Sequence, residues 1–105
     1  MIDPFRRLPI ETITHVVCAR YKAPVNRITS PGKSRTVSHI RMVIMYLANK
    51  LFHRSSREIA EYLGNDRSTV VYGVKRVEFL AASDEILKRD LDELKIDITK
   101  SLLNV

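Results

Sequence analysis

Tryptophan is absent from this 105-residue chain, which also has only one cysteine, three glycines and four prolines. Each scarcity excludes something. The lone Cys18 cannot form a disulfide within the chain, so the sequence is not a stapled secreted scaffold and suits a reducing compartment. With no low-complexity stretch and no internal repeat, the few Gly and Pro residues act as punctuation between periodic segments. No apolar run approaches the roughly 20 residues of a membrane span. The start, Met1-Ile-Asp-Pro-Phe-Arg-Arg, has no apolar stretch like that of a secretory signal. No segment alternates apolar and polar residues as a strand would. A Gly-x-x-x-x-Gly-Lys-Ser/Thr phosphate loop is missing too. The expectation is a cytoplasmic protein that binds no nucleotide, metal or other cofactor, does not touch membranes and is not an enzyme.

What is present is a single domain's worth of chain, 45% of it hydrophobic, enough to bury a core unaided. The expected domain spans residues 1–105, with the core at about 9–95 and an N-terminal arm at 1–8. Net charge is +6 and unevenly spread. From Arg20 to Arg76 twelve Lys and Arg face three acids, a local charge of +9. From Asp84 onward four bases face six acids, a charge of −2. A basic body with an acidic tail points to a polyanion partner for the body alone.

Periodicity supplies the elements. Ile10, Ile13, Val17 and Tyr21 share one helical face, and Pro9 suits a first helical position. Val25 to Thr29 reads as one turn. A polar loop follows from Ser30 through Thr36 and carries Lys33 and Arg35, with Ser38 as the expected cap of the next helix. Ile40, Val43, Ile44, Leu47, Ala48, Leu51 and Phe52 then form the clearest stripe in the chain. Ser55 or Ser56 caps a short helix bearing Ile59, Ala60 and Leu63. Glu58, three residues after Ser55, completes a capping box, and Gly64-Asn65 ends the helix. Asp66 or Ser68 starts a helix whose inward residues are Val70, Gly73, Val74, Val77, Leu80 and Ala81. Asp84 caps a last helix with Ile86 or Leu87, Leu91, Leu94, Ile98 and Leu102 on its core face. The expected class is all-α, a compact bundle of five to six helices.

Two short helices joined by about four residues around a glycine have the layout of a helix-turn-helix. At about 100° per residue, Ser68, Tyr72, Lys75 and Phe79 fall opposite Val70, Val74 and Val77, flanked by Thr69 and Arg76. Hydroxyls, an aromatic and bases are the groups that bond phosphates and base edges.

The run from Ile59 to Val77, Ile-Ala-Glu-Tyr-Leu-Gly-Asn-Asp-Arg-Ser-Thr-Val-Val-Tyr-Gly-Val-Lys-Arg-Val, resembles the signature of the C-terminal DNA-binding domain of DnaA, the bacterial replication initiator. The likeness extends back to about Ile13 and forward to about Leu94. It implies duplex DNA as partner and a place in replication or transcription at the bacterial nucleoid. By this resemblance Lys33 enters the minor groove with Arg35 beside it, and Arg41 contacts a base and the backbone. Asp66 accepts from a cytosine amino group, and Ser68 and Thr69 meet thymine and phosphate. Lys75 is a base further along the recognition helix, and Ser56 and Arg57 touch the backbone. The turn departs from the family's Gly-Gly-Arg-Asp-His. It is one residue shorter, and Arg67 replaces a histidine that reads bases. Gly73 stands where Ala or Ser is usual. The usual DnaA-box specificity is therefore not expected here. Arg67, Tyr72 and Arg76 complete the candidate set on the residues' own positions.

Other readings stay beside this one. The alternative is a protein-interaction module that keeps the fold and binds a partner or a second copy through Phe79 or the last helix. His15 and Cys18 are too few to close a zinc site, so Cys18 is read as a small core residue. Asp90, Asp92 and Glu93 are read as a solvated face. Tyr72 is read as outward rather than at the core edge. Phe79 is expected to pack under a neighbouring helix rather than meet DNA. Arg6 and Arg7 are either a phosphate-binding arm or a loose terminus.

Overall fold

A computed structural model describes residues 10–30 and 34–103, and Lys33, Arg6, Arg7 and Pro9 lie outside that range. Among the described residues there are six α-helices and no strand. They are α1 (Ile10–Tyr21), α2 (Val25–Ile28), α3 (Arg35–Tyr46), α4 (Ser56–Leu63), α5 (Arg67–Ala81) and α6 (Glu85–Leu103). No helix among them is long and apolar enough to cross a membrane.

The helix ends follow local chemistry. Ser34, not Ser38, caps α3: its Oγ accepts the Val37 N–H at 3.1 Å, four residues earlier than the spacing predicts. Ser38 lies inside the helix, exposed. Both serines precede apolar residues, and the turn formed at Ser34 lets Val37 join the core. Ser55 caps α4 by accepting from the Glu58 N–H at 3.1 Å, while its hydroxyl donates to Glu58 Oε1. Asp84 Oδ1 accepts from the Ile86 and Leu87 N–H groups at 3.0 and 3.1 Å and caps α6. Gly64 ends α4 in the left-handed region at φ 71°, ψ 33°, where a side chain would be strained.

The apolar stripe of α3 does not run on as an α-helix. It passes into a π-helical turn over Leu47–Leu51, closed by the Phe52 N–H bonding the Leu47 carbonyl at 3.2 Å. The wider turn shifts the phase by part of a residue. Phe52 reaches the core, and Leu51 is left half-buried rather than fully inside. The last helix settles its own ambiguity: Leu87 is buried and Ile86 is exposed.

One core runs through the molecule, built mainly from Ile13, Val17, Ile40, Ile44, Leu47, Ile59, Leu63, Val70, Leu94 and Ile98. Cys18 sits in it, and burial pushes its thiol pKa up. His15 is exposed on the same helix. Asp90 and Glu93 are not simply solvated. Their carboxylates accept from Arg20 at 2.7 and 2.8 Å and tie α6 to α1, and these bonds raise the Arg20 pKa further. Asp92 is exposed.

The most extensive helix contact is α3 against α5, and α4 also leans on α5. Gly73 is where the two long helices meet. A Cβ added there would lie 2.6 Å from Met45 Sδ and 3.2 Å from Met42 Cγ. Met45 is itself fully enclosed, so its sulfur has little room to retreat. Alanine would recover about 1 kcal/mol of helix propensity against that displacement. A branched side chain must push the helices apart. Gly73→Val is expected to lower stability by about 1–3 kcal/mol, read from the midpoint of urea unfolding. An unchanged midpoint would show that α3 and α5 are not in close contact at this point.

Candidate nucleic-acid interface

The turn between α4 and α5 is three residues, Gly64, Asn65 and Asp66. The Gly64 and Asn65 N–H groups both reach back to the Ala60 carbonyl, so the chain reverses tightly out of α4. Asp66 then takes the N-cap position of α5 in extended geometry (φ −74°, ψ 151°), but its side chain makes no capping hydrogen bond. Its exposed carboxylate is therefore available to an external donor.

Helical phase sorts α5 into two faces. Val70, Gly73, Val74 and Val77 are buried against the body. Leu80 and Ala81, read as inward from the spacing, are half-buried where the helix leaves the core. Arg67, Ser68, Thr69, Tyr72, Lys75 and Arg76 are all exposed. Tyr72 is 63% exposed, which settles it as an outward residue. Phe79 does not tuck under a neighbouring helix: it is 68% exposed. No ion pair among the described residues uses Arg35, Arg67, Lys75 or Arg76; in particular, Arg67 does not fold back onto Asp66.

The helix starts are electrostatically unusual. Among helices longer than one turn, α1, α4 and α6 carry an acid in the first turn (Glu11, Glu58 and Glu85). That arrangement complements the positive end of the helix dipole. In α3 and α5 the first turn has no acid, and each begins with an arginine, Arg35 and Arg67. An arginine there opposes the dipole at a cost of about 0.3–1 kcal/mol. An external anion removes that repulsion.

The remaining candidates divide. Ser56 and Arg57 open α4; Ser56 is half-buried, and the exposed Arg57 lies 3.5 Å from Glu61. Arg41 is buried at 8% exposure. Its Nε donates to the Ile28 carbonyl at 2.8 Å, and its Nη2 donates to the Ser30 carbonyl. These carbonyls end α2 and begin the basic loop, so Arg41 fastens that loop to α3. A cleft of about 160 Å³ opens between the π-helical turn, α4 and α5, lined by Asn49, Lys50, Ser56, Val71, Lys75 and Glu78. Sequence reasoning missed Lys50. Its charge was in the basic count, but its place beside α5 depends on the π-helical turn.

The family described as the bacterial DnaA protein helix-turn-helix matches residues 10–77, from the start of α1 to near the end of α5. The chain belongs to this family. Chromosomal replication initiator proteins DnaA from Cereibacter sphaeroides and Bartonella quintana are each 36% identical to it over 91 residues, 86% of this chain. DnaA from Treponema pallidum is 29% identical over 98 residues, 92% of this chain. The chain spans about a fifth of the length of these relatives, between 18% and 21%. A DnaA helix-turn-helix domain implies binding to double-stranded DNA.

The Arg41 clamp can be checked apart from any ligand. Arg41→Met keeps the stem of the side chain and removes the donors from enclosed carbonyls. Hydrogen bonds to charged groups contribute about 1.5–3 kcal/mol, and a stability loss of that order is expected by chemical denaturation. A loss below about 0.5 kcal/mol, the lower end for any hydrogen bond, would show that the loop is held by other contacts.

Proposed function

We propose that this chain is a sequence-preferring, duplex-specific DNA-binding module that regulates replication or transcription without nucleotide or cofactor. It works in the cytoplasm at the bacterial nucleoid. The observation that supports this best is the outward face of α5, where Arg67, Ser68, Thr69, Tyr72, Lys75 and Arg76 are all exposed and none of the bases is ion-paired among the described residues. The start of α3, with Arg35 behind a serine cap and no acid in its first turn, adds a second place suited to an outside anion.

In this reading α5 lies in the major groove with its first residues at base edges, and α4 crosses the backbone. Asp66 accepts from a cytosine amino group. Ser68 and Thr69 meet thymine and phosphate, and Tyr72 covers the neighbouring base edges. Lys75 and Arg76 contact phosphates, as do Ser56 and Arg57 at the start of α4. Arg35 and Lys33 form the minor-groove arm. Arg41 works through that arm by holding its base in place. In this reading the domain binds DNA rather than hydrolysing it.

A second reading has an observation of its own. Phe79 and Ile86 are 68% and 75% exposed, which suits a protein partner or a second copy. Salt separates the two readings. Each phosphate contact contributes about −0.9 to the slope of log K against log salt, whereas an apolar interface strengthens or holds as salt rises.

Arg67 gives the reading its sharpest consequence. A guanidinium presents a fork that pairs with O6 and N7 of guanine, and a histidine at this position would not. Selection from random duplexes with the wild type is expected to yield a guanine at one position of the site. Arg67→His should weaken that preference by about 1–3 kcal/mol. Lys75→Ala should instead weaken binding to all duplexes about equally. Identical base preferences in wild type and Arg67→His would remove the readout role, and a site-specific loss in Lys75→Ala would contradict a phosphate contact.

A further inference from the structure

Glu78 is the one acid on α5, and a carboxylate beside a DNA-facing surface repels the duplex unless something neutralises it. Lys50 does so here, with its Nζ 3.7 Å from Glu78 Oε2. Both side chains are about half exposed, at 48% and 55%, so the pair is weakly held and free to exchange partners. Lys50 and Glu78 lie on the wall of the cleft between the π-helical turn, α4 and α5, and Ser56 and Lys75 line the same cleft. Asn49 is already engaged, its Nδ2 donating to the Arg54 carbonyl at 3.0 Å. The cations facing the cleft are therefore Lys50 and Lys75, with the Ser56 hydroxyl between the two helices of the motif.

We propose that this cleft seats one backbone phosphate of the bound duplex between Lys50 and Lys75, and that Glu78 holds Lys50 in place until the phosphate displaces it. The inference rests on the reading of α5 as the groove-binding helix and adds a residue that reading lacks. The geometry favours a phosphate of the backbone over a base edge. A recognition helix enters the groove, the preceding helix crosses the backbone, and a cleft between the start of one and the middle of the other faces the strand that leaves the groove. Two ammonium groups are donors only, and the Ser56 hydroxyl can add another; phosphodiester oxygens accept from all three, and such contacts carry no base preference. When the phosphate arrives, Lys50 exchanges a solvent-exposed carboxylate partner for a polyanion, and Glu78 turns to water.

The obvious alternative is that Lys50 only neutralises Glu78 and touches no DNA. Binding of the full chain to a duplex, followed by fluorescence anisotropy over a range of salt, separates the two. Lys50→Ala should weaken binding about 3- to 10-fold and reduce the salt slope by about 0.9. The double variant Lys50→Ala with Glu78→Gln should keep the reduced slope, because the phosphate contact is still missing. Replacing single phosphates by neutral methylphosphonates should find one position that weakens the wild type and leaves Lys50→Ala unaffected. A wild-type slope in the double variant, together with no such position, would overturn the phosphate seat. Circular dichroism of each variant checks that the fold is kept. If the wild type itself binds no duplex, the DNA-binding reading fails and the seat with it. If it binds with a slope indifferent to Lys50, the seat alone fails.

Discussion

The approach of α5 to α3 at Gly73 determines where everything on the exposed face of α5 points. Met42 and Met45 form the floor on which α5 rests, and a glycine there lets the two backbones come close. Thioether side chains fill an irregular gap well, so the contact is tight without needing a matched set of branched residues. With Val70, Val74 and Val77 buried on the same side, the rotation of α5 about its own axis is fixed. That rotation turns Ser68, Tyr72 and Lys75 outward. The same helix α3 holds the Ile28 and Ser30 carbonyls through Arg41, so one scaffold positions both the recognition helix and the end of α2.

The charge pattern divides the molecule by purpose. Helices α1 and α6 carry acids in their first turns, and charged side chains pair between them, as Arg20 does with Asp90 and Glu93. In α3 and α5 the first turn holds an arginine and no acid: Arg35 follows the Ser34 cap, and Arg67 follows Asp66. Local departures from good helix chemistry concentrated at one function are what a binding surface is expected to show. The acidic character of α6 has a structural use in its ion pairs with α1, which keeps it from arguing for or against DNA.

Much of this was legible in the sequence because it depends on neighbours in the chain. The Ser55–Glu58 cap, the left-handed Gly64, the Asp84 cap and the division of α5 into two faces all follow from spacings of four residues or fewer. The features that were not legible depend on tertiary contacts. Arg41 looks like one more base in a basic stretch, and only the fold brings the Ile28 and Ser30 carbonyls to it. The π-helical turn leaves the apolar stripe looking continuous while moving Leu51 out of the core and Lys50 beside Glu78. Ser34 and Ser38 are equivalent as caps until Val37 has a core to enter. Phe79 stays exposed because α6 packs more extensively along α1 than on α5.

The central claim is that the face of α5 bearing Ser68, Tyr72 and Lys75, with the start of α4, is the surface that meets DNA. Titration of the isotope-labelled chain with a short duplex, followed by amide chemical shifts, tests it most directly and does not require the preferred site to be known. Shifts are expected to concentrate at Ser55 to Arg57, at Asp66 to Arg76 and at the start of α3 around Arg35, and to fade at higher salt. Shifts confined to α6 and the neighbourhood of Phe79, or none that depend on salt, would contradict the account.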